Sequence, residues 1–278
     1  MRAPSLLLIL LALLAAPVAQ ASSSCKASSF LGIDMLRCQY RTLQLPTGGA
    51  GTRTVEYQLP DGTPPAGGWP VVVWYQTGVF PNYWNGNSTM LAGFQYESET
   101  FANLLDAGYA VIAPTVNQAR LLQYWDTNAY GVDTTQPYTD TEDYRVLTNL
   151  FDAMGAGRFG PVNMRRLYAT GMSSGGYNTS RMAVSFPGRF RALIVQSGSY
   201  ATCNGSTCAL PAQLPANHPP TLFLHGADDT IVPPATMQLY HDRLQAMGVE
   251  VGLFLAPGVR HAILAESPAL VLDWVRRH

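Results

Sequence analysis

Charge is what this sequence has least of. Only 13% of its 278 residues are Asp, Glu, Lys or Arg, about half the share usual in soluble domains, and the net charge is −1. A chain so weakly charged builds no strong field to draw in nucleic acid or an anionic membrane surface. Cysteine is scarce as well: Cys25, Cys38, Cys203 and Cys208 are the whole supply. No pair has the spacing of a zinc site and no His stands near either pair, so neither a metal nor another cofactor is expected. Internal repeats, low-complexity linkers and a second domain are all missing. The apolar run from Leu6 to Ala16 is too short for a comfortable membrane span.

Hydrophobic residues are plentiful, at 47%, enough for the sizeable core of one α/β domain of this length. The N-terminus reads as a secretion signal. Arg2 supplies the positive start, Leu6 to Ala16 the apolar stretch, and Ala19-Gln20-Ala21 a small-x-small cleavage site. Residues 1–21 are therefore expected to be removed, leaving 22–278 as a single secreted catalytic domain with no membrane anchor. A lipoprotein signal ending at Cys25 is disfavoured, because Ser22-Ser23-Ser24 lacks the apolar residue such sites want. An even cysteine count in a secreted chain implies disulfides. Four cysteines allow three pairings, and the local one, Cys25–Cys38 with Cys203–Cys208, is favoured. Closing a loop of about a dozen residues is worth roughly 3 kcal/mol.

Along the chain, apolar runs alternate with helical patterns. Strands are predicted at Thr54 to Leu59, Val71 to Tyr75, Ala110 to Ala113, Arg166 to Ala169, Phe190 to Gln196, Thr221 to Leu224 and Val251 to Leu255. Helices are predicted at Thr100 to Ala107, Asp140 to Met154, Tyr177 to Phe186, Ala235 to Met247 and Pro268 to Arg276. Strand–helix–strand repetition implies an α/β fold, a mainly parallel central sheet with helices on both faces.

Gly171-Met172-Ser173-Ser174-Gly175-Gly176 lies between a predicted strand and a predicted helix, the context a nucleophile elbow requires. The sharp turn lifts the Ser173 hydroxyl above the sheet, and the helix behind it aims free N–H groups at developing negative charge. A serine nucleophile needs a base. His261 follows the last strand, where this fold keeps it; His241 sits in a helical pattern, His218 precedes two prolines, and His278 is the terminus. The acid belongs after the preceding strand, where His225-Gly226-Ala227-Asp228-Asp229 offers two carboxylates. Hydrolases of this fold commonly show a His-Gly-x-x-Asp pattern here, with the Asp four residues after the His; that resemblance selects Asp229 over Asp228 and leaves His225 a structural part of the turn. The order Ser, Asp, His is that of the α/β-hydrolases. Two oxyanion donors are expected: the Ser174 N–H, and an N–H of Thr77 or Gly78 in the loop Gln76-Thr77-Gly78-Val79-Phe80. Many hydrolases of this fold carry His-Gly in that loop, so Gln76-Thr77 is a departure.

Aromatic residues crowd two loop segments: Phe80, Tyr83, Trp84, Phe94 and Tyr96 in one, Tyr124, Trp125, Tyr130 and Tyr138 in the other. Loops at the carboxyl ends of strands surround the site in open α/β sheets. Phe80, Trp84 and Trp125 are accordingly expected on an apolar substrate-binding rim, with packing beneath the loops as the competing role.

The run from Gly171 to Gly188, then Gln196-Ser-Gly-Ser-Tyr-Ala-Thr-Cys203 and Pro219-Pro-Thr-Leu-Phe-Leu-His-Gly226, resembles the extracellular poly(3-hydroxyalkanoate) depolymerases that act on medium-chain-length polyesters. Pro64 to Val72 and Gly108 to Pro114 are similar too, so the likeness covers nearly all of the expected mature chain. It implies a secreted, single-domain α/β-hydrolase with the triad Ser173, Asp229 and His261. The implied substrate is a water-insoluble polyester such as poly(3-hydroxyoctanoate). Asn82 to Tyr96 and Asn117 to Tyr138 look more divergent and are expected to shape substrate choice. Two other readings compete: a secreted esterase for feruloyl, acetyl or other small esters, and a secreted binding protein that has lost catalysis.

Overall fold

The computed structural model describes residues 21–121, 123–127, 137–204 and 207–278. The expected leader run and Tyr130 lie outside them. The described residues form β1 (Lys26–Phe30), β2 (Ile33–Arg37), β3 (Arg41–Pro46), β4 (Thr52–Gln58), β5 (Trp69–Tyr75), β6 (Asn85–Asn87), α1 (Phe94–Asp106), β7 (Ala110–Pro114), α2 (Glu142–Gly155), β8 (Val162–Met172), α3 (Ser174–Ser185), β9 (Ala192–Gln196), β10 (Thr221–Gly226), α4 (Pro234–Ala246), β11 (Val251–Ala256) and α5 (Ser267–Arg277).

Eight strands make the main sheet in the order β11-β10-β9-β8-β5-β7-β4-β3. β5 and its neighbours β7 to β11 run parallel, and β4 and β3 close one edge antiparallel. The continuous apolar run of β5 follows from burial on both faces. Val72 and Trp74 point into one core with Phe101, Leu104 and Leu105 of α1 and Val271, Trp274 and Val275 of α5. Val71, Val73 and Tyr75 point into the opposite core with Leu147, Leu150 and Phe151 of α2 and Met182 and Ala183 of α3. A third cluster packs Met237, Tyr240 and Leu244 of α4 under Val195 and Phe223. The α/β-hydrolase fold expected from the alternation is thus the observed one.

Three elements differ from the expectation. β8 begins at Val162, well before Arg166, because its first residues pair only at the edge of β5 and carry no apolar run. α1 begins at Phe94, not Thr100; the polar run Glu97-Ser98-Glu99-Thr100, largely buried, interrupts the apolar helical period. The N-terminal segment, for which no element was predicted, holds β3 and a hairpin of β1 and β2 that joins β6 in a separate antiparallel sheet. Those short strands are largely exposed and lack an alternating apolar face, so no periodicity announces them. Cys25 and Cys38 are joined across the base of this hairpin, and Cys203 is joined to Cys208, the local pairing.

Candidate active site

The elbow is built by backbone crowding. Ser173 sits between β8 and α3 at φ 56° and ψ −119°, a strained left-handed conformation for a residue with a side chain. Its N–H donates to Gln196 O at 2.9 Å and its carbonyl accepts from Tyr177 N–H at 2.9 Å. Glycines around it are obligatory: a Cβ on Gly175 would stand 2.1 Å from Tyr75 O, and one on Gly171 2.6 Å from the same oxygen. The small residues of the motif therefore exist so that α3 can start directly against β5 and lift Ser173 to the carboxyl end of the sheet.

The acid and base arrive on the loops after β10 and β11. Those loops are zipped together: Ala227 N–H donates to Ala256 O, and Asp228 N–H to Val259 O. Asp229 is buried. Its Oδ1 accepts from Ile231 and Val232 N–H at 2.9 Å each, and its Oδ2 lies 2.7 Å from His261 Nδ1. Burial pushes the Asp229 carboxyl up, but hydrogen bonds from His225, His261 and the Val232 N–H outweigh it and hold the group well below the usual carboxylate range. His225 is fully buried, its Nε2 2.8 Å from Val232 O and 3.3 Å from Asp229 Oδ2, while Asp228 is exposed. The loop carrying His261 is braced from β9, where Ser197 Oγ donates to Ala262 O at 2.7 Å. Ser197 directly follows Gln196, the residue that accepts the Ser173 N–H, so the elbow and the loop carrying His261 are held by consecutive residues at the end of β9. The Asp229–His261 bond is formed in this structure; Ser173 Oγ makes no hydrogen bond among the described residues. Such contacts tighten when substrate fills a site.

Thr77 and Gly78 lie beside the elbow. Thr77 Oγ1 is 3.4 Å from Met172 Sδ, and a Cβ on Gly78 would stand 3.5 Å from Ser174 Cβ. Among the described residues, the N–H groups of Thr77, Gly78 and Ser174 have no hydrogen-bond partner. The site thus presents unpaired donors close to a hydroxyl, beside a carboxylate–imidazole pair. No group of three His, Cys, Asp or Glu among the described residues is arranged to hold a metal ion.

The expected rim needs correcting. Trp84 is 1% exposed, packed on Phe101 with its indole N–H donating to Glu56 Oε2 at 2.9 Å. Trp125 is fully buried, with its indole N–H on Gln76 O at 2.8 Å. Both are core residues because each finds a buried acceptor for its one polar atom. Phe80 is exposed, with its ring 5.0 Å from that of Phe94. Tyr138 is buried under Arg181. The bracing roles of Gln76, Ser197 and Trp125 went unread in the sequence, since each depends on contacts tens of residues away and carries no motif.

Comparison with known proteins meets this geometry. A family model described as the dienelactone hydrolase family matches residues 62–274. The chain belongs to the dienelactone hydrolase family. It is 50% identical over 273 residues to the poly(3-hydroxyoctanoate) depolymerase of Pseudomonas fluorescens, covering 97% of this chain and 96% of that one. Among solved structures, an S-formylglutathione hydrolase from Agrobacterium tumefaciens superposes with a TM-score of 0.59 at 15% identity, over 91% of this chain and 98% of that one. A dienelactone hydrolase-like promiscuous phosphotriesterase from metagenomic libraries gives 0.59 at 18% identity, over 87% and 98%. These two share the fold. With the family, the chain is a carboxylic ester hydrolase.

Proposed function

We propose that this chain is a secreted serine hydrolase that cleaves the ester bonds of medium-chain-length poly(3-hydroxyalkanoates), with Ser173 as nucleophile, His261 as base and Asp229 as the acid. The observation that carries the reading is the buried Asp229–His261 bond at 2.7 Å beside a strained serine elbow, in a chain half identical to a poly(3-hydroxyoctanoate) depolymerase. Because His261 Nδ1 is taken by Asp229, its proton resides there and Nε2 is left to accept the Ser173 proton. Attack on an ester carbonyl then gives a tetrahedral oxyanion, held by the Ser174 N–H and one from Thr77 or Gly78. His261 returns its proton to the leaving hydroxyl, and water hydrolyses the acyl-enzyme by the reverse roles. No step calls for a metal or organic cofactor.

A neutral polymer surface suits what surrounds the site. Val79 and Phe80 end the loop after β5, and Ile231 stands two residues past Asp229; all three are exposed apolar residues. Secretion is supported by the leader pattern of residues 1–21 and by two disulfides, and no helix among the described residues is long and apolar enough to cross a membrane. Residues 22–278 would act as one catalytic domain.

The test is clearing of two polyester emulsions, poly(3-hydroxyoctanoate) and poly(3-hydroxybutyrate), by the mature protein and its Ser173→Ala variant. Clearing of the first polymer alone, abolished in the variant, is expected. Clearing of neither, with p-nitrophenyl octanoate still cleaved, would reassign the chain to small esters. Retained turnover in Ser173→Ala would overturn the nucleophile itself.

A further inference from the structure

A buried tryptophan beside an active site raises the question of what its indole N–H is holding. Residues 123–125 make three hydrogen bonds to the two segments that flank the elbow. Trp125 Nε1–H donates to Gln76 O at 2.8 Å, Trp125 N–H donates to Ser174 Oγ at 3.0 Å, and Val79 N–H donates to Gln123 O at 2.9 Å. The Gln76 carbonyl and the Thr77 N–H belong to one rigid peptide plane and point in opposite directions. A bond to that carbonyl therefore fixes where the Thr77 N–H is aimed. On the other side of Gly78, the plane shared by Gly78 O and Val79 N–H is held at both ends, by Phe80 N–H at 2.8 Å and by Gln123 O. The Gly78 N–H hangs between two immobilised planes. The Tyr124 ring occupies the space a side chain at position 78 would need, with Cε1 2.2 Å from that ideal Cβ position.

The clamp has its own buried anchor. Asp126 N–H donates to Asp143 Oδ2, and Asp143 N–H donates back to Asp126 Oδ2 at 3.3 Å. Asp143, fully buried at the start of α2, pairs with Arg53 Nη1 of β4 at 2.7 Å, and Arg120 pairs with Asp126. The loop is thereby tied to the sheet edge on one side and to the elbow on the other.

We infer that Trp125 is a positioning residue of the oxyanion hole, aligning through Gln76 O and Ser174 Oγ the two backbone segments that supply its donors. This rests on the serine hydrolase reading above. A group that merely fills the core would affect stability without preferring the transition state; a positioning group changes kcat in step with binding of an oxyanion.

Trp125→Phe keeps an aromatic ring against Tyr75, whose centroid is 5.3 Å away, and removes the indole donor. In case that variant folds poorly, Trp125→3-benzothienylalanine, near-isosteric with sulfur in place of N–H, makes the same deletion. The readouts are kcat and KM on p-nitrophenyl octanoate, and inhibition by an alkyl trifluoromethyl ketone, whose hemiketal oxyanion occupies the hole. Expected are a kcat lower by about 10- to 100-fold, below the loss from deleting a donor outright, KM within about twofold, and ketone affinity weakened by the same factor as kcat. Unchanged kcat and ketone affinity in a folded variant, or a fall in kcat with ketone affinity intact, would overturn the proposal. Failure of the parent enzyme to bind the ketone would instead remove the serine hydrolase reading, and this inference with it.

Discussion

The two halves of this site are held in different ways. The proposed acid–base half is local. His225, Asp229, Ile231 and Val232 close one turn on themselves, and that turn is zipped to the neighbouring loop that carries His261. The proposed oxyanion half is assembled from far-separated segments: the loop after β5, the start of α3, residues 123–126, and an anchor on Arg53 and Asp143. A carboxylate–imidazole pair demands one short bond in a fixed direction, which a tight turn delivers. An oxyanion hole demands that two backbone N–H groups from different elements converge, and only tertiary contacts align them.

Substitutions that strike one half at a time sharpen the contrast. The largest effect belongs to Asp229→Asn. The amide keeps an acceptor for Ile231 and Val232 but leaves His261 in the wrong tautomer, so kcat is expected to fall about 10⁴-fold with the fold retained, as deletion of a triad carboxylate does. Steady-state kinetics alongside circular dichroism would check it; a loss below tenfold would detach the pair from catalysis. Asp143→Asn strikes the other half at its root. An amide satisfies Arg53 or Asp126 N–H but not both, and breaking a buried pair from one side costs about 3 kcal/mol. Urea unfolding should report that loss, and kcat should fall about tenfold as the 123–126 loop loosens. An unchanged kcat would show the loop to be aligned without its anchor.

Ser197→Ala removes only the 2.7 Å brace on Ala262 O, next to His261. About 1 kcal/mol of stability is expected to go, with a loss of kcat of a few fold and no change in oxyanion-analogue binding. Equal losses in both would mean that the two halves are mechanically one.

The smallest effect on activity is expected from Glu97→Gln, outside both halves. Glu97 is buried, accepts the Tyr83 N–H at 3.1 Å, and has its carboxyl pushed up to about 8 by burial. Between about pH 4.5 and 8 the unfolded chain releases this proton while the folded one keeps it, so the folded state binds more protons and stability falls as pH rises. Glu97→Gln should remove that decline, raising Tm at pH 9 relative to the parent while leaving Tm at pH 5 and kcat nearly unchanged. A parallel pH dependence of Tm in the two proteins would refute the assignment.

The legibility of the molecule followed the same division. The strands of the parallel sheet were readable because burial on both faces forces unbroken apolar runs, as in Val71 to Tyr75. The elbow was readable because backbone crowding at Gly171 and Gly175 tolerates no side chain. Asp229 was preferred to Asp228 on the His-Gly-x-x-Asp pattern common in hydrolases of this fold; the structure buries Asp229 and exposes Asp228. Trp84 and Trp125, expected on the rim with packing as the competing role, pack in the core; an aromatic side chain in a polar loop looks the same whether it faces solvent or finds a buried acceptor. The β1–β2–β6 sheet escaped notice because exposed strands carry no hydrophobic period.

The sequence by itself determined the sheet, its parallel order of strand and helix, the strained turn at Ser173 and the carboxylate–imidazole turn. Each of these is dictated by short-range sterics or by the demand to bury an apolar face. Tertiary structure alone decided which tryptophans became braces, how Arg53, Asp143 and Asp126 joined, and where the unpaired N–H groups of the oxyanion loop came to lie. A buried polar group must be paired, but its partner is chosen by what the folded chain brings within 3 Å, and nothing in local sequence encodes that distance.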